Sequence, residues 1–187
     1  QNKIKTIHSS LKIEGNTLTE EQITALLENK RVLGPQKDIR EVLNAINIYE
    51  SIENYNPKSE KSFLKAHKDL MIELIEQPGE YRKQGVGIVK GSKVEHLAPP
   101  EMEFIHPFLD GNGRMGRLWQ TLILIEKYPV FEYIPFETLI SKSQEEYYKV
   151  LSLCDKQGKS TLFIEYMLSV IETSLNGLLG FNNRNFN

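Results

Sequence analysis

Residues 106–117 read HPFLDGNGRMGR, from His106 to Arg117. How the rest of the chain is read depends on this stretch. Glycine costs about 1 kcal/mol relative to alanine inside a helix, so a run holding Gly111, Gly113 and Gly116 is a poor helix interior and a good helix entrance. Gly111, Asn112 and Gly113 would present free backbone N–H groups just before a helix, which makes an anion nest reinforced by the helix dipole. Arg114 and Arg117 lie three apart, on one helical face at its N-terminal end. Positive charge there opposes the dipole, so the pair suits a polyanion better than it suits helix stability. Asp110 can offer oxygen to Mg²⁺ carried by phosphates. His106, with an ordinary pKa near 6.5, can take a proton from a hydroxyl at neutral pH. Pro107 stiffens the link between base and nest, and Phe108 can anchor the loop in the core. Base, metal ligand and phosphate cradle together point to nucleotidyl or phosphoryl transfer.

Other readings of the stretch fail on specific positions. An EF-hand also begins D-x-N, but Arg114 and Thr121 stand where its fifth and twelfth residues must supply ligands. No GK[ST] follows the glycines, so this is no Walker A loop. His8, His67, His96 and His106 lack zinc spacing, and Cys154 is alone.

Working outward, the pattern is mainly helical. Ile4, Ile7 and Leu11 share a side over residues 3–13, and Gly15 with Asn16 ends that run. Thr19 and Gln22 form a capping-box pattern opening a helix to about Lys30. After Gly34-Pro35 the periodicity predicts a helix from Lys37 to about Ile52, and another from Ser59 to about Glu76. The central helix is expected from Asn112–Arg114 to about Glu126, with Trp119 packing it. Ser143 with Glu146 is read as the cap of a helix reaching Cys154, and Ser160–Leu175 as the last helix. Between Tyr81 and Pro100 the alternation in VGIVKGSKVEHL predicts a short β-hairpin with its tip at Lys90–Lys93, lying against helices or accepting an extended partner. The expected fold is therefore mainly α, a helical bundle around the motif loop and its helix, with a hairpin flap at 84–97. One domain is expected over 1–180, followed by a flexible tail at 181–187.

Composition narrows the function. The 187 residues carry a formal net charge of -2, which argues against a broadly basic nucleic-acid surface. No apolar run approaches the roughly 18 residues of a membrane span. The first residues are polar and basic, with no visible signal peptide, and the single cysteine leans the expectation toward the cytoplasm.

The twelve residues from His106 to Arg117 resemble, without departure, the signature HPFx[D/E]GNGRxxR of the Fic (Fido) family. The resemblance extends to GEYRKQGVGIVKG at 79–91 and EYYKVL at 146–151. It implies a protein adenylyltransferase that moves AMP from ATP to a Ser, Thr or Tyr hydroxyl of a target protein and releases pyrophosphate. By the same resemblance His106 would be the general base and Asp110 the Mg²⁺ ligand. Gly111, Asn112 and Gly113 would hold phosphate oxygens, Arg114 the β-phosphate region and Arg117 the γ-phosphate, with Phe108 supporting the loop.

SLKIEGN at 10–16 resembles the family's inhibitory motif in the class that carries it N-terminal to the core, with an inhibitory helix over 3–16. Ser10 and Glu14 belong to that motif, and Glu14 would pair with Arg117 in the room the γ-phosphate needs. Val86, Gly87, Ile88 and Val89 would dock the target segment by strand addition, and Tyr147 or Tyr148 would line the adenine side. Self-modification and a homodimer are admitted; nucleic acid and membrane are not expected partners. The passage APPEMEFIHPF is abrupt, and a missing or deleted segment of a few tens of residues is expected between Pro100 and Glu101. A hydrolase removing AMP from modified protein, and a catalytically weak binding module, are the alternatives.

Overall fold

The computed structural model describes residues 2–82, 87–90, 93–97 and 106–184, the side chains of 87–97 and 178–184 excepted. Eight α-helices fall within them: α1 (Asn2–Ile13), α2 (Glu20–Leu27), α3 (Gln36–Glu50), α4 (Glu60–Met71), α5 (Asn112–Lys127), α6 (Glu137–Lys142), α7 (Gln144–Gln157) and α8 (Thr161–Arg184).

The helices enclose two apolar clusters. The larger joins Ile7 and Leu11 of α1, Val42, Ala45, Ile48 and Tyr49 of α3, Leu70 and Met71 of α4, and Met115, Leu118 and Leu122 of α5. The smaller joins Ile13, Phe131, Phe136, Ile140 and Tyr147 with Met167 and Val170 of α8. Helix α1 lies between them, packed against α2, α3 and α5 on one side and α6 on the other. A helix buried on two sides has no polar face to spare, which is why Thr6, Ser9 and Ser10 are buried with its aliphatic residues. Their small side chains allow close approach, and Ser9 Oγ meets Thr138 Oγ1 of α6 at 3.2 Å.

The fold class is corrected to an all-α helical bundle. Among the described residues a two-stranded antiparallel ladder, β1 (Gly87–Lys90) and β2 (Lys93–Leu97), has no third strand and shifts register between Ile88 and Val89. Four and five residues with no third strand make no layer, so the ladder adds nothing to the architecture. Val86, the junction between Pro100 and Glu101, and residues 185–187 of the expected tail lie outside the described residues.

Three helix boundaries differ from expectation. Helix α4 stops at Met71 because Asn44 Nδ2 captures the Leu70 and Ile72 carbonyls at 3.1 and 2.8 Å, and Glu73 turns left-handed at φ 61°. Ser143 does not cap α7. Its hydroxyl turns back to the Leu139 carbonyl at 2.9 Å, because the short helix α6, unseen in the pattern, ends immediately before it. Helix α8 continues to Arg184, through residues expected to be loose. The capping box at Thr19 and Gln22 is present as read.

Candidate functional site

The motif loop is fastened at both ends before any charged group enters. Phe108 is buried, its ring stacked on His67 of α4 at 3.6 Å and 5°, with Phe63 and Tyr81 beside it. His67 does more than pack. Gly79 N donates to its Nδ1 at 2.9 Å, which leaves Nε2 to donate to the Asp110 carbonyl at 3.0 Å. Burial, aided by the nearby Arg114 charge, holds the His67 pKa below its usual value against the pull of that Asp110 carbonyl. From the other side, Arg82 N donates to the Pro107 carbonyl at 2.9 Å, and Arg82 Nε to the His106 carbonyl. The His106 side chain itself is exposed.

Asn112 closes the loop. Its Nδ2 donates to the Phe108 carbonyl at 2.8 Å, and its Oδ1 accepts from Phe108 N at 3.0 Å. That side-chain amide is committed at both ends, leaving the backbone N–H of Asn112 for an anion. Gly111, left-handed at φ 81°, is the N-cap of α5 and must be glycine: a Cβ there would stand 2.7 Å from Met71 Sδ. The Gly111 N–H, expected in the nest, donates instead to Asp110 Oδ1 at 2.5 Å, and the first turn of α5 presents the donors of residues 112–114.

Both motif arginines face inward, and each is met by a carboxylate from another helix or turn. Arg114 is 5% exposed; its Nη1 donates to Glu41 Oε1 of α3 at 2.8 Å, and its Nη2 lies 3.3 Å from Asp110 Oδ1. Arg117 is 2% exposed and pairs through Nη2 with Glu14 Oε1 at 2.7 Å. Arg117 also donates from Nε to Ser10 Oγ and from Nη2 to the Ser10 carbonyl, each at 2.9 Å. Burial alone would push the Arg117 guanidinium down, but Glu14, with Tyr147 adding to it, offsets this and keeps it above its ordinary pKa. The Glu14 carboxylate also lies over the nest, since a Cβ on Gly113 would come within 2.5 Å of Oε1. Among the described residues Arg117 Nη1 and Arg114 Nε are buried without partners.

Tyr147 is buried, whereas Tyr148 is half exposed; its hydroxyl reaches the Ile13 carbonyl at 3.3 Å, beside the turn that carries Glu14. Of Gly87, Ile88 and Val89, expected to dock a target, only the backbone is described.

Three comparisons with known proteins agree with this geometry. Residues 100–124 match the Fic/DOC family. A Fido domain-containing protein of Dictyostelium discoideum is 49% identical over 61 residues, 30% of this chain and 38% of that protein. The crystal structure of a Fic family protein from Desulfovibrio desulfuricans G20 superposes with a TM-score of 0.87 at 42% identity, over 97% of this chain. The chain belongs to the Fic/DOC family. It spans 65% of the Desulfovibrio Fic chain, so it matches part of that protein's length.

Within the Fic signature, the structure brings Asp110, Gly111, Asn112, Gly113, Arg114 and Arg117 to the start of α5, with Ser10 and Glu14 against Arg117. Sequence reading of the Fic motif passed over Glu41 and Arg82. Glu41 carries a faint signal: an acidic residue adjoining Val42 and Ala45 on the buried stripe of α3. Arg82 had only its place between Gly79 and Gly85. Among the described residues no three His, Cys, Asp or Glu side chains converge, so a metal at Asp110 would complete its shell from water and phosphate. No helix among the described residues is long and apolar enough to cross a membrane.

Proposed function

We propose that this protein is an adenylyltransferase that moves AMP from ATP to a Ser, Thr or Tyr hydroxyl of a target protein, and that Glu14 holds it inactive. The observation that carries the reading is the Arg117 guanidinium. It is buried in the first turns of α5, paired with Glu14 at 2.7 Å, and among the described residues its Nη1 has no partner. A carboxylate on a helix N-terminal nest occupies ground suited to a phosphate oxygen, since both are anions seeking the same N–H groups.

The residues present fit a magnesium triphosphate. Beyond the bonds that the arginines make to Glu14, Glu41 and Asp110, two buried guanidinium donors and the N–H groups at the start of α5 remain for phosphate oxygens. The half-exposed Asp110 carboxylate supplies one hard oxygen. Mg²⁺ held by Asp110 would neutralise charge on the phosphates. Arg114 and Arg117 would bind and orient the β- and γ-phosphates, which directs the α-phosphorus toward the incoming hydroxyl. His106, exposed at the start of the motif loop, would take the hydroxyl proton at its imidazole nitrogen. The hydroxyl oxygen forms a bond to the α-phosphorus, the bond to the bridging oxygen breaks, and pyrophosphate leaves. Fixed charge at the phosphates and a base at the nucleophile are the chief requirements of such a transfer.

The position of the label in ATP tests the chemistry. Glu14→Gly protein incubated with Mg²⁺ and ATP radiolabelled at the α-phosphate is expected to acquire covalent label. Label at the γ-phosphate is expected to leave with pyrophosphate. Covalent incorporation from γ-labelled ATP alone would replace AMP transfer by phosphoryl transfer.

A further inference from the structure

We propose that Glu41 is a positioning residue that latches the turn carrying Glu14 to Arg114 of the motif, and so sets how firmly the site is held against nucleotide. The proposal rests on the reading of Glu14 as inhibitory. Glu41 is 4% exposed and serves two donors from segments far apart in the chain. Its Oε1 accepts from Arg114 Nη1 at 2.8 Å, and its Oε2 accepts from Asn16 Nδ2 at 2.9 Å. Lys37 Nζ approaches Oε1 from the surface at 3.9 Å.

Asn16 follows Glu14 by two residues and is itself buried. Its Nδ2 also reaches the Asp38 carbonyl at 3.1 Å, and its Oδ1 accepts from Leu18 N at 3.1 Å. Thr17 N adds a bond to Asp38 Oδ2 at 2.8 Å. The turn that presents Glu14 is therefore anchored on the first turns of α3, beyond its own helix. A buried ion pair is often no more stabilising than apolar residues of the same volume, so stability alone gives little reason for an acid on this stripe. The chemistry gives one: a carboxylate has two acceptor oxygens, one for each segment. Glutamine has a single acceptor and cannot satisfy Arg114 and Asn16 together.

Removing either half of the latch frees the turn, and the Glu14–Arg117 pair then competes less well with a triphosphate. The test is calorimetric titration of the full chain with Mg²⁺ and α,β-methylene ATP, an analogue that cannot donate AMP. Asn16→Ala is expected to tighten binding about tenfold, equivalent to about 1.4 kcal/mol, and to do nothing further when Glu14 is already glycine. Glu41→Gln is expected to tighten binding on the wild-type background. If it fails to fold, Asn16→Ala decides, because that variant leaves the Arg114 pair intact. Wild-type affinity in Asn16→Ala, with tighter binding in Glu14→Gly, overturns the latch and leaves the inhibitory reading standing. A gain from Asn16→Ala that persists in full beside Glu14→Gly also overturns it, since Asn16 would then act without Glu14. Wild-type affinity in Glu14→Gly itself overturns the inhibitory reading and the latch with it.

Discussion

Glu137→Gln should flatten a pH dependence of stability that originates behind the motif helix. Glu137 is fully buried, with Oε2 unpartnered and Oε1 3.1 Å from Thr121 Oγ1. That hydroxyl also lies 3.0 Å from the Arg117 carbonyl and has one proton for two acceptors. The conflict disappears if Glu137 is protonated and donates to Thr121, which in turn donates to Arg117. Consistent with this, burial pushes Glu137 from 4.5 up to about 7, against the opposing pull of its own backbone N–H, Thr121 and Arg117. The sign follows directly. Between pH 4.5 and 7 the unfolded chain loses this proton while the folded chain keeps it, so stability falls as pH rises. At about 1.36 kcal/mol per pH unit, the window amounts to about 3 kcal/mol. Glutamine keeps the donor and cannot ionise. Urea unfolding of wild type and Glu137→Gln from pH 4.5 to 8 is expected to show the variant gaining about 3 kcal/mol on wild type across that window. Curves separated by a constant amount would refute a buried, protonated Glu137.

His67 predicts the opposite slope. Its pKa is held below 6.5 by burial, so the unfolded chain takes up a proton first and stability falls as pH drops below about 6.5. His67→Gln should remove that acid-side loss, while losing about 2 kcal/mol at pH 7.5 with the bonds to Gly79 and Asp110; urea titration at pH 5.5 and 7.5 measures both. Gly111→Ala places a Cβ against Met71 in a left-handed backbone and should cost about 2 kcal/mol, read as a lower urea midpoint. Gly113→Ala should destabilise the wild type by crowding Glu14 and destabilise Glu14→Gly less. A double-mutant cycle on unfolding free energy should give a coupling of about 1 kcal/mol.

The site was legible where chemistry is local. The order of residues 106–117 dictates a nest followed by arginines, because the left-handed Gly111 and the donors after it depend on neighbours in sequence. The pairing of Glu14 with Arg117 was legible only through resemblance, since 103 residues separate the partners. Glu41 was hidden for the same reason: nothing within α3 says that Arg114 and Asn16 will meet its two oxygens. The helix boundaries that differ have separate causes. Asn44 ends α4 from another helix, a tertiary contact overriding a sound local signal, whereas the Leu139 carbonyl, one turn earlier, takes the Ser143 hydroxyl from its expected cap. Helix α1 buries Thr6, Ser9 and Ser10 beyond its Ile4, Ile7 and Leu11 stripe because it is packed on two sides, a condition that periodicity cannot report.

The central claim is that Glu14 holds Arg117 in place of a phosphate. It is tested most directly by ATP-dependent self-labelling, compared at equal concentration in wild type, Glu14→Gly and Glu14→Gly/His106→Ala. Loss of the Glu14 carboxylate is expected to raise AMP incorporation at least about tenfold, for a charge-assisted pair contributing roughly 1.5–3 kcal/mol. Removal of the His106 imidazole is expected to abolish that gain. Equal labelling of wild type and Glu14→Gly would contradict the account.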